Sequence, residues 1–122
     1  MNNQNHLLDS PLSLEEIKRI DSIDIPILDR HYLRLMAHCL ACFKLIADET
    51  LDGSLPSHEQ QLQWCLKQPK FSEDRDFICL LLDQFSVAAN YLELIASKEG
   101  ISPLAITLDD LIKDSLSRTS SI

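Results

Sequence analysis

Apolar side chains recur along this chain at the three-to-four-residue spacing of an α-helix. No stretch shows the sustained period-two alternation of β-branched residues that would argue for a strand. Punctuation residues cut the pattern into five segments. Ser13-Leu14-Glu15-Glu16 has the form of a capping box and opens a short helix ending near Asp21. A long helix is predicted from Asp24 or Ile25, with Pro26 in its first turn, to about Thr50 ahead of Gly53. On it Leu28, Tyr32, Leu35, Met36, Cys39, Phe43 and Ile46 share one face, and Arg30, Arg34, His38, Lys44 and Asp48 the other. Ser57 starts a third, short helix that Pro69 stops; it carries Leu62, Cys65 and Leu66, with Trp64 able to face either way. Ser72, followed by Glu73, Asp74 and Asp76, caps a fourth helix running to about Lys98, where Lys98 and Gly100 supply a C-terminal signal. Thr107-Leu108-Asp109-Asp110 opens a fifth, with Leu108, Leu111, Ile112 and Leu116 at helical spacing.

The fourth segment differs from the others. Its apolar residues cover roughly 240° of the helix circumference, too wide an arc for a single neighbour. It is therefore either the central element of the molecule or a helix that carries a partner as well as the core. The connections between segments are short, which favours antiparallel neighbours. The predicted fold is all-α: a single-domain antiparallel bundle of about five helices over residues 1–122, with the second and fourth as two long central helices. Residues 1–11 and 118–122 are expected to be flexible.

Composition narrows the function. The 122 residues hold only two glycines, so neither a dinucleotide fingerprint nor a P-loop can be built, since both need repeated glycine for close backbone approach to phosphate. Eleven Lys and Arg against nineteen Asp and Glu leave a net charge of −8, which repels nucleic acid. Apolar runs such as Ile78 to Leu82 and Val87 to Ala89 are far shorter than the ~20 residues of a membrane span. The first six residues lack the basic and apolar regions of an export signal, which points to the cytoplasm. In that reducing compartment Cys39, Cys42, Cys65 and Cys79 are expected as thiols, three of them inside apolar runs as small hydrophobes.

Three local patterns suggest chemistry. The twelve residues from Asp48 to Glu59 resemble the calcium-binding loop of an EF-hand. Asp48, Thr50 and Asp52 stand at the first, third and fifth positions, Gly53 at the sharp turn, and Glu59 at the twelfth. Gly53 as a C-cap and Ser57 as an N-cap explain the same residues without a metal. Cys39-Leu40-Ala41-Cys42 has redox or zinc spacing. It lies mid-helix on the apolar face, however, away from the helix N-terminus that activates such thiols, and packing is the favoured reading. His31, Arg34 and His38 share a stripe that Arg30 and Lys44 flank, a basic seam that suits an acidic partner segment, an anionic ligand or haem held through a histidine, against the plain alternative of a solvated face. Paired acids such as Glu73-Asp74 sit in first turns, where capping explains them better than acid–base catalysis.

The expectation is a non-enzymatic cytoplasmic interaction or regulatory domain with no cofactor and no bound metal. Its partner would be another protein rather than nucleic acid or membrane, with a symmetric homodimer through the fourth helix as one form of that pairing. The expected contact residues are Leu80, Leu82, Val87 and Leu94 on that helix, and Arg30, Arg34 and His38 on the seam. The competing readings are a calcium-responsive module and a bundle that carries a small ligand such as haem.

Overall fold

The computed structural model describes residues 12–47 and 53–120. They form five α-helices and no strand: α1 (Leu14–Asp21), α2 (Ile27–Ile46), α3 (His58–Leu66), α4 (Arg75–Glu99) and α5 (Leu108–Ser120), with a 3-10 turn at Pro103–Ala105 before α5. The all-helical bundle read from the pattern is therefore the observed fold.

The helix starts follow from local hydrogen bonding. At α1 the Ser13 hydroxyl accepts from the Glu16 N–H at 3.1 Å while the Glu16 carboxylate accepts from the Ser13 N–H at 2.9 Å, so two orphan donors are satisfied reciprocally. Ser57 and Gln60 build the same box at α3, and Thr107 with Asp110 at α5. The cap of α4 is Asp74 rather than Ser72: its carboxylate accepts from the Phe77 N–H at 3.0 Å, and residues before it remain in turns. Gly100 ends α4 at φ 69°, the left-handed conformation in which glycine avoids a Cβ clash. Other boundaries differ from the sequence reading too: α2 opens at Ile27, with Pro26 as its cap rather than in its first turn. Helix α2 stops at Ile46, its cap N–H at Ala47 bonding back to Phe43, and α5 continues to Ser120, through residues expected to be loose.

The centre of the molecule is α2, which packs on all four other helices. Its buried side chains, Leu33, Met36, Ala37, Cys39, Leu40 and Phe43, occupy a wider arc than the single stripe inferred from spacing. Leu28, assigned to that stripe, is 77% exposed because the first turn of α2 projects beyond its neighbours. Phe43 meets Phe85 of α4 at 5.1 Å between ring centroids, and around this pair Leu33, Met36, Cys65, Leu92, Ile106 and Leu111 are buried. Interdigitation of this kind, with apolar area removed from water at about 25 cal/mol per Å², is the main source of stability. Lys44 of α2 reaches across to donate to the Ile106 carbonyl at 2.9 Å, tying the segment before α5 onto the hub.

Helix α4, by contrast, is an outer helix. One side, Ile78, Leu82, Phe85, Ala88, Leu92 and Ile95, enters the core, while Leu80, Val87 and Leu94 are 63, 56 and 70% exposed. By length and composition α4 is apolar enough to cross a membrane, with a mean hydropathy of 1.4 over its best window, although its uninterrupted apolar runs are short.

Candidate functional site

The residues singled out from the sequence separate into three groups. Leu80, Val87 and Leu94 lie seven residues apart on α4, and the helical repeat stacks them into one line on its outer face. Leu82 does not join them. Two residues from Leu80 is about 200° around the helix, and Leu82 is accordingly buried in the core.

The basic seam is largely committed to the fold. The Arg30 guanidinium donates to the Ile23 carbonyl at 3.2 Å and to the Ile25 carbonyl at 3.5 Å, fastening the connection between α1 and α2. Arg34 faces Asp21 of α1 at 3.6 Å. His38 is half-buried, and desolvation together with the nearby Arg34 charge lowers its pKa, which favours the neutral ring. Arg30 and Arg34 of the stripe thus face α1 and the connection that follows it.

The third group is one that the sequence reading missed. Asp114 of α5, with 8% side-chain exposure, accepts a hydrogen bond from the Tyr91 hydroxyl, one from Lys98 Nζ at 3.2 Å and one from Arg118 Nε at 3.1 Å. Burial alone would raise its pKa. The three donors outweigh burial and hold the carboxyl below its usual value. Tyr91 moves the other way, its pKa raised by burial and by the Asp114 carboxylate it donates to. The Arg118 guanidinium lies 5.3 Å from the Tyr32 ring centroid and 5.5 Å from that of Tyr91, so one side chain bridges α2, α4 and α5. A groove of about 580 Å³ opens here, lined in part by Leu94, Lys98 and the two tyrosines. The readable signal was Asp114 four residues before Arg118, a favourable helical pair, but Arg118 fell in the tail set aside as flexible.

A second cavity, about 220 Å³, lies at the other end of α4 among Trp64, Phe71, Phe77, Gln84 and the thiols of Cys39 and Cys42. Burial pushes both thiols up to about 12, so they are protonated and unreactive at neutral pH, as the packing reading of this C-x-x-C expects. Among the described residues no three His, Cys, Asp or Glu side chains gather as a metal site. Residues 48–52 of the EF-hand-like loop lie outside the described residues. Within its described part, Gly53 has φ 78° and its carbonyl accepts from the Leu104 N–H at 3.0 Å, while Glu59 accepts from Gln63.

No curated protein and no solved structure matches the chain. The model of one family, the NDH complex assembly factor CRR9 family, matches residues 12–120. Against that match the generic cytoplasmic interaction or regulatory domain expected from the sequence does not stand, and neither do its calcium-responsive and haem-carrying alternatives. The cytoplasmic location inferred from the first residues falls with them, because it rested on composition alone. An assembly factor does have protein partners, as the wide apolar arc of α4 suggested. The match runs from the residue before the α1 cap to the last residue of α5, and on that extent the chain belongs to the NDH complex assembly factor CRR9 family.

Proposed function

We propose that this protein is a non-enzymatic factor that binds one or more subunits of an NDH complex while the complex is being built, and that it does so in the chloroplast, in association with the thylakoid. The carrying observation is the family match over residues 12–120. The geometry is in keeping with a binding role. The convergent ionisable groups, Asp114 with Tyr91, Lys98 and Arg118, are spent on joining helices, whereas the row Leu80, Val87 and Leu94 is left outward on a rigid 25-residue helix. An exposed apolar line on a packed helix is the usual form of a protein contact.

The test is loss and restoration of the complex. Inactivating the gene should abolish or strongly deplete the assembled NDH complex on a native gel. The unaltered chain should restore it, and a chain carrying Leu80→Asp, Val87→Asp and Leu94→Asp should not. Normal accumulation of the complex without the protein would refute the proposal.

A further inference from the structure

Tracing α4 along its outer face gives more than three leucine-type positions. Phe77, Leu80, Gln84, Val87, Tyr91 and Leu94 follow one another at alternating spacings of three and four, which is the a/d repeat of a helix that packs lengthwise against another helix. Within this row Phe77, Leu80, Val87 and Leu94 are exposed and Tyr91 is half-exposed, so the row is not filled by the described helices. From Phe77 to Leu94 it extends about 25 Å at 1.5 Å per residue.

The row also connects the two cavities. Phe77 and Gln84 line the apolar one, beside Trp64 and Phe71, while Tyr91 and Leu94 line the groove that also contains Lys98. A helix lying along α4 would have large side chains to place in both, about two to five turns apart. Its charge is set by the border of the row. Asp76 and Asp83 are exposed alongside it, and neither has an ion-pair partner among the described residues. The whole chain carries −8.

We infer that the outer face of α4, from Phe77 to Leu94, receives an amphipathic helix of another protein, one that carries large apolar residues at heptad spacing and Lys or Arg beside them. This rests on the protein-binding reading above and names the class of partner element. Electrostatic complementarity of this kind discriminates between partners as well as attracting them.

The experiment uses the full chain and two 22-residue helical peptides with leucine at the a and d positions, one flanked by lysines and one by glutamates. Trp64 is the chain's sole tryptophan and lines the apolar cavity, so its emission reports occupancy. The lysine peptide should shift that emission saturably and bind at least tenfold more tightly than the glutamate peptide. Val87→Asp and, separately, Leu94→Ser should each weaken it tenfold or more, with the melting midpoint unchanged. Absence of any shift, equal affinity for the two peptides, or binding indifferent to both substitutions would overturn the inference. So would a dimer by light scattering that Val87→Asp makes monomeric, which assigns the face to a second copy. Co-sedimentation with phosphatidylcholine vesicles that the same substitution abolishes would assign it to lipid and also overturn the inference. Because the peptide assay contains no NDH complex, its failure leaves the assembly role standing, and failure of the gene-loss test leaves the peptide result standing.

Discussion

The carboxyl of Asp114 stays charged in a buried place because Tyr91, Lys98 and Arg118 all donate to it. Its folded pKa is lowered, so the native state holds the proton less tightly than the unfolded chain does. The resulting stabilisation is fully present above the unfolded value of about 4 and is lost as the pH falls through the lower folded value. Replacing Asp114 by Asn is expected to cost about 2 kcal/mol in urea unfolding at pH 7, since it removes the charge from three hydrogen bonds and turns a new N–H₂ toward donors. The gap between the two proteins should narrow below pH 4; a constant gap would show that the charge contributes nothing. The cysteines differ in the same measurable way. Cys79 is exposed, whereas Cys39 and Cys65 are buried and Cys42 is held protonated, so iodoacetamide at pH 8 should label Cys79 first, by mass spectrometry, and the other three only on unfolding. That separation was partly legible: mid-helix position on an apolar face marked Cys39 and Cys42 as packing residues, while nothing in the spacing distinguished Cys79.

Helix α4 shows what periodicity can and cannot establish. Its length, its glycine stop and its unusually wide apolar arc are all readable from residue order. Which part of the arc is covered is not, because that depends on where α2 and α3 lie. Leu80 and Leu82 illustrate the gap: identical side chains two residues apart, one 63% exposed and the other 9%. Leu82→Asp should cost at least about 3 kcal/mol by placing a carboxylate in the core, whereas Leu80→Asp should change stability by no more than about 0.5 kcal/mol. Equal melting midpoints for the two variants would contradict the orientation of α4. The same blindness to neighbours explains α2. Amphipathic analysis assumes one covered face, and a hub packed on four helices violates that assumption, so Leu33, Ala37 and Leu40 were missed as core while Leu28 was wrongly included.

At the scale of the whole molecule, fold class was the most legible property, because helical spacing and scarce glycine each argue for it independently. The seam of Arg30, Arg34 and His38 was legible as charge but not as architecture. Only the approach of α1 shows that Arg30 and Arg34 are occupied by Ile23, Ile25 and Asp21. The proposed assembly role was not legible at all, since binding to one particular complex leaves no motif of its own; family membership across residues 12–120 is what points to it. Placement in the cell was misjudged for a related reason: residue composition describes solubility and charge, not the compartment in which a partner is made. The groove beside Tyr91 owes its shape to Arg118, which comes from the final turn of α5 yet lies against rings from α2 and α4. Loss of that arginine's side chain would therefore remodel one end of the α4 face without altering a single residue of α4, so that a residue of α5 helps to determine what that end can grip.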